Sequence, residues 1–132
     1  MKITNKSQNI FDNNIIFYNK KKIKKKNELI FLIENGKKLL GQFSFVCEHG
    51  KYTYIGRDNL GTKKLFFTAY KKKIYTSKNF IDLSKKKYFL HENIFSCSKG
   101  TVLKFEKDRL IKIFDISPKM VFYQKKKIIW TI

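Results

Sequence analysis

The stretch Gly41-Gln42-Phe43-Ser44-Phe45-Val46-Cys47-Glu48-His49-Gly50-Lys51-Tyr52-Thr53-Tyr54-Ile55 decides the architecture. Before Gly41 the apolar residues keep helical spacing, and after it they alternate. Successive side chains of a strand point to opposite faces, so Phe43, Phe45 and Cys47 share one face, while Tyr52, Tyr54 and Ile55 return on a second strand. Glu48-His49-Gly50-Lys51 between them reads as the turn of a hairpin. Two more strand pairs are expected: Leu65 to Tyr70 with Ile74 to Ser77 around Lys71-Lys72-Lys73, and Thr101 to Glu106 with Leu110 to Phe114 around Lys107-Asp108-Arg109. Asn79 to Leu83 reads as a short helical turn.

Upstream, Asn27 is an N-cap candidate for a helix over Glu28 to Lys38. Glu28 begins it and Lys37 and Lys38 end it, in agreement with the helix dipole. Leu29, Ile30 and Ile33, with Leu39 and Leu40 beyond, would face a core, and Gly36 is placed to stop the helix early. Ile10 to Tyr18 reads as a strand or hairpin around Asp12-Asn13-Asn14. Met120 to Ile132 reads as a last edge strand with Trp130 packed back on the sheet. The pattern as a whole is a β-rich, antiparallel α+β fold with one main helix.

A chain of 132 residues has room for one domain of ordinary size. Its 42% hydrophobic and 16% aromatic content supplies a core and excludes a disordered basic tail. The formal net charge is +20, and Arg57 and Arg109 are the only arginines among 30 basic residues. Such a charge is compatible with phosphate backbones or an anionic membrane surface. The favoured reading is compositional. Lysine runs recur along the whole chain at Lys20 to Lys22, Lys24 to Lys26, Lys71 to Lys73, Lys85 to Lys87 and Lys125 to Lys127, mostly where turns are expected. A nucleic-acid footprint would concentrate on one face and would use more arginine, whose planar fork matches phosphate and guanine. No leader is visible after Met1, and no apolar run approaches the roughly 18 residues of a spanning helix, so the chain reads as cytoplasmic. Cys47 and Cys97 are too few for a disulfide framework.

Four segments in order carry a resemblance: Gly41-Gln42-Phe43-Ser44-Phe45, then Ile55-Gly56-Arg57-Asp58-Asn59-Leu60-Gly61-Thr62-Lys63-Lys64-Leu65-Phe66-Phe67, then Tyr75-Thr76-Ser77, then Lys99-Gly100-Thr101-Val102-Leu103. Together they resemble the second half of the glutaminase domain of the asparagine synthetases, which are class II glutamine amidotransferases. That family has a Gly-x-Phe-Ala-Phe strand, an Arg-Asp-x-x-Gly-x-x-Pro-Leu-Tyr turn, a Ser-Glu pair and a Pro-Pro-Gly. Gly41, Phe43 and Phe45 would belong to the strand motif and Arg57, Asp58 and Gly61 to the turn. The resemblance covers about residues 28–115, between a divergent basic segment at 1–27 and a tail at 116–132. It implies one partial domain cut from an αββα four-layer sandwich.

The same resemblance implies a glutaminase whose nucleophile is an N-terminal cysteine, with its own α-amine as base. Lys2 stands at that position, and neither internal cysteine has a free α-amine. The family's glutamine-holding arginine, its Asn-Gly-Glu segment and its acidic clamp lack counterparts. Lys24-Lys25-Lys26 stands where the clamp would be, Lys64 replaces the turn proline, Lys78 the glutamate and Ser98-Lys99 the double proline. No Ser-Gly-Gly-x-Asp-Ser loop, Walker sequence or dinucleotide fingerprint occurs. Relatives such as beta-lactam synthetases and lasso-peptide cyclases keep a cysteine-less glutaminase-like domain as a structural partner. The expectation is therefore a noncatalytic domain without cofactor, paired with a separate synthetase-type (ATP-pyrophosphatase) subunit or with itself. The alternatives are a basic nucleic-acid-binding protein, or residual amidotransferase activity in a split synthetase.

Read without the resemblance, Arg57-Asp58 with Gly61 is a turn in which Asp58 bonds amides, Gly61 takes positive φ and Arg57 pairs with a carboxylate or with strand-end carbonyls; an anion-ligand role for Arg57 is the other reading. Cys47 and His49 share a strand face, and His91-Glu92 or Cys97 are conceivable co-ligands. Their spacing matches no zinc template, so Cys47 is read as a packing residue, His49 as a turn residue, and no metal or catalytic residue is assigned. Asp82, Glu92, Asp108 and Asp115 read as solvated surface.

Overall fold

A computed structural model of the chain describes residues 10–122 and 128–131, with side chains over residues 10–118. The hairpin set by the alternating stretch is β4 (Ser44–His49) and β5 (Tyr52–Arg57), paired in register from Ser44 opposite Arg57 to His49 opposite Tyr52. The turn has tightened to Gly50-Lys51, so Glu48 and His49 belong to the strand. β9 (Thr101–Glu106) adds to β5, and β10 (Arg109–Asp115) adds to β9, giving a central antiparallel sheet ordered β10-β9-β5-β4. β6 (Phe66–Tyr70), β7 (Lys73–Ser77) and the short β8 (Phe95–Ser96) make a second sheet, ordered β7-β6-β8.

Alternation places the layers. Phe45, Cys47, Tyr54 and Val102 point from the central sheet into a core shared with Leu29, Ile30, Leu32 and Ile33 of helix α1 (Lys26–Glu34). Their neighbours Ile55, Leu103 and Phe105 point the other way, onto Leu65, Ile74 and Cys97 around the second sheet. On that sheet's outer face Leu83 of the short helix α2 (Phe80–Ser84) packs with Phe89, Phe66, Tyr70 and Tyr75. The order is helix, sheet, sheet, helix, with antiparallel sheets and one main helix.

Two glycines, one opening the deciding stretch and one just beyond it, are required by close approach. Gly41 has φ +136°, and a Cβ there would collide with the carbonyl oxygen of Ile15 on the neighbouring strand. Gly56 lies opposite Phe45, whose ring fills the space a Cβ would take. Inserting a methyl group where backbone or ring already packs costs more than a rotamer change can relieve.

The helix differs from its expected bounds of Glu28 to Lys38. It starts earlier, with Lys25 at the N-cap position and no side-chain cap, and Asn27 lies inside it. Ile23, buried and hydrogen-bonded through its N–H to Ile16 at 2.8 Å, fixes the chain's entry, so tertiary packing rather than a cap starts the helix. It ends sooner because Gly36, at φ +71°, donates to the Ile33 carbonyl while Lys37 donates to Leu32, both at 3.0 Å, a pattern that closes a helix with glycine.

Two further expectations are corrected. Ile10 to Asn13 is a turn, not a strand of a hairpin; the Asn14 amide holds it by donating to the Ile10 carbonyl at 2.6 Å, and Ile10 enters the core. β1 (Ile15–Tyr18) pairs instead with β2 (Lys21–Lys22) and β3 (Leu40–Gln42), so the basic segment expected to diverge contributes Ile10, Ile16 and Ile23 to the main core. The tail is not an edge strand of the large sheet, since β11 (Lys119–Phe122) and β12 (Ile128–Thr131) pair with each other. The Trp130 side chain and Lys125 to Lys127 lie outside the described residues.

Candidate functional site

The Arg57 turn lies where the central sheet hands the chain to the second sheet. Arg57 ends β5 with its side chain directed between the sheets, 9% exposed. Its Nε donates to the Lys63 carbonyl, Nη1 to Cys97 and Nη2 to Gly61, each at 3.0 Å. Gly61 takes φ +65°. Every guanidinium nitrogen is committed to a backbone carbonyl of the chain, an arrangement that supports a brace and leaves little for an external anion.

Asp58 is fully buried. Its Oδ2 accepts from the Thr62 hydroxyl at 2.9 Å, while Oδ1 has no hydrogen-bond partner. The turn amides bond its backbone rather than the side chain expected to hold them: Gly61 and Gly100 donate to the Asp58 carbonyl at 3.2 and 3.0 Å, and the Asp58 N–H donates to Phe43. Beside it, the Asn14 amide donates to the Ser44 carbonyl at 2.9 Å and its Oδ1 accepts from Lys63 Nζ at 3.1 Å. Burial, reinforced by Lys78, draws the Lys63 ammonium below its ordinary pKa, against the pull of Asp58.

Neither thiol is equipped as a nucleophile. Cys47 and Cys97 are both fully buried and unpaired, and burial pushes each up to about 11. The Cys47 sulfur is 3.8 Å from the Glu48 carbonyl; that of Cys97 is 3.9 Å from the Ser98 carbonyl and 4.0 Å from the Thr101 hydroxyl. Activation needs a base within hydrogen-bond reach of a thiol, and these neighbours are not bases. His49 ends β4, and His91 is exposed with Nε2 at 3.1 Å from the Ser84 carbonyl. Among the described residues no group of three or more His, Cys, Asp or Glu is placed to hold a metal ion. Among them, too, no helix is long and apolar enough to cross a membrane.

A polar group on the α1 side escaped sequence reasoning. Glu34, the last residue of α1, accepts from the Tyr54 hydroxyl at 2.5 Å and from Lys104 Nζ at 2.6 Å, and the same ammonium lies 4.1 Å from the Tyr52 ring centroid. Burial raises the Glu34 carboxyl, but the bonds from Lys104 and Tyr54 and the positive charges of Lys104 and Lys112 outweigh it, so it titrates below the ordinary range. Tyr54 is displaced upward by burial and by Glu34. The available signal was Tyr54 and Lys104 falling on the helix-facing side of their strands; Asn14 offered none beyond its place before a strand.

At the open edge the inter-sheet core spills outward. Phe67 contacts Phe95 and Phe105, with centroids 5.7 and 5.6 Å away, and Phe105 pairs across with Leu110 of β10. β10 has no strand on its outer side among the described residues. Its Leu110, Ile111 and Ile113 are 44%, 41% and 58% exposed, and Phe95 is 53% exposed. At the β4 edge Asn14 and Lys26 bond the strand carbonyls of Ser44 and Glu48, and at the end of β10 Lys38 Nζ donates to the Asp115 carbonyl at 2.8 Å.

No protein-family model, curated protein or solved structure matches the chain.

Proposed function

We propose that this chain is a noncatalytic, glutaminase-like domain of the asparagine synthetase kind that docks through its β10 edge, on a second copy of itself or on a separate synthetase-type subunit. The carrying observation is the outer edge of β10: among the described residues no strand pairs with it, and three large aliphatic side chains stand exposed along it, although Lys38 bonds its last carbonyl at Asp115. Exposed edges of this kind are templates for strand addition, and natural proteins ordinarily blunt or cover them. The helix-sheet-sheet-helix layering and the braced Arg57 turn favour the amidotransferase-like reading. The burial and protonation of both thiols favour its being noncatalytic.

Sedimentation velocity at micromolar concentration, in enough salt to screen the net charge, tests the docking. The chain is expected to sediment as a concentration-dependent oligomer and Ile113→Lys as a monomer. A compact monomer that also gains no partner when mixed with a synthetase-type subunit would remove the main support for this reading.

A further inference from the structure

Folding gathers the lysine runs that are scattered in sequence. Residues 65–91, which make the second sheet's β6-β7 hairpin and α2, contain seven lysines and one acidic residue, Asp82. The ion pairs Lys21–Glu28, Lys38–Asp115, Lys51–Glu106, Lys104–Glu34 and Arg109–Glu106 all belong to the α1 and central-sheet side. Carboxylates offset part of the positive charge on that side and are sparse in residues 65–91.

Within that layer two triplets meet. Lys71 to Lys73 form the β6-β7 turn and the start of β7, Lys85 to Lys87 follow α2, and all six are exposed. They are brought together by rings: buried Phe89 contacts Tyr70, Tyr75 and Tyr88 at 5.7, 5.2 and 4.6 Å, and Tyr88 stacks on Tyr70 at 4.8 Å with 33° between planes. Lys71 Nζ lies 5.4 Å over the Tyr70 ring. Tyr88, 50% exposed, is thus an aromatic face set between two lysine triplets and fixed by the ring beneath it.

We infer that the corner formed by Lys71 to Lys73, Lys85 to Lys87 and Tyr88 binds single-stranded nucleic acid. Ammonium groups flanking a stacking ring match a strand that offers phosphates and unpaired bases in alternation, and stacking needs no sequence readout. A duplex keeps its base faces inside the stack and gives Tyr88 nothing to cover. Membrane insertion would require a ring free to protrude, whereas Tyr88 is held flat against Tyr70. The inference is independent of docking through β10, which lies on the other sheet.

The test is fluorescence anisotropy of the full chain with a uridylate dodecamer across a salt series. Lys71→Asn with Lys72→Gly removes two charges while giving the turn the residues its left-handed backbone prefers, so weaker binding by this variant is not unfolding. That variant and Lys85→Gln/Lys86→Gln/Lys87→Gln are each expected to weaken binding about threefold or more, and to flatten the salt slope by roughly 0.7 for each phosphate that is no longer neutralised. Tyr88→Ala and Tyr88→Leu should both weaken it about fivefold or more, since leucine keeps its packing on Phe89 but has no π-face. The control Lys22→Gln/Lys24→Gln/Lys25→Gln removes three charges from the far side and should leave affinity nearly unchanged. Equal loss from the control and the Lys85 to Lys87 triplet, unchanged binding by Tyr88→Leu, or preferential binding to phosphatidylserine vesicles over the oligonucleotide would each overturn the inference.

Discussion

Nη1 of Arg57 donates to the carbonyl oxygen of Cys97 at 3.0 Å, across 40 residues of sequence. The bond ties the end of β5 to the segment through which the chain leaves the second sheet and returns to the central one. The other two bonds of the guanidinium close the intervening turn at Gly61 and Lys63. A lysine here cannot span three carbonyls set out for a planar fork, and buried acceptors left unbonded are costly. Arg57→Lys is expected to destabilise the fold by about 2–4 kcal/mol in urea unfolding. A loss within experimental error would show that the turn holds without its brace.

Glu34 sets part of the acid limb of stability. Its carboxyl titrates below the ordinary range in the folded chain, so its contribution is fully present above the unfolded value, near 4.3, and is lost as pH falls through the lower folded value. Glu34→Gln should flatten the fall in stability below about pH 4. Urea midpoints measured across that window check this, and an unchanged acid limb would count against the Glu34–Lys104–Tyr54 group.

The thiols act at the other end of the scale. Both stand at about 11 in the folded chain, above the ordinary thiol value of about 8.5. A raised folded value gives stability that is present below the unfolded pKa and lost as pH rises through the folded one. Stability should therefore decline between about pH 8.5 and 11, less steeply in a variant with Cys47→Ala and Cys97→Ala. At pH 8 neither thiol should react with a chromogenic disulfide until denaturant is added, and prompt labelling of the native chain would contradict their burial.

Lysine occupies turn positions that favour asparagine or glycine. Lys71 and Lys72 have φ of 48° and 63°, both in the left-handed region where a Cβ is strained. Lys71→Asn with Lys72→Gly should raise stability by about 1 kcal/mol, read as a higher urea midpoint at unchanged slope. Lower stability would show that the two lysines have favourable interactions in the turn.

Legibility in the sequence followed how local the cause was. The hairpins at Glu48 to Lys51, Lys71 to Lys73 and Lys107 to Arg109 were readable because alternation and turn chemistry lie within a dozen residues of each other. Gly36 likewise announced the helix's end. Its beginning was not readable, since Ile23 starts it by docking against Ile16 rather than by a cap. The Ile10 to Asn13 turn depends on Asn14 reaching Ser44, 30 residues away. The Glu34, Tyr54 and Lys104 group, and the meeting of the two lysine triplets around Phe89, exist only once separate elements are folded together. Apart from the places of Tyr54 and Lys104 on the helix-facing side of their strands, spacing along the chain carries no trace of them.

Whether the domain is noncatalytic is decided by glutamine hydrolysis, followed as ammonia release from the purified chain at neutral pH. No release above a protein-free blank is expected, because both thiols are buried, protonated and without a base. Saturable ammonia release that disappears in Cys47→Ala would contradict that expectation.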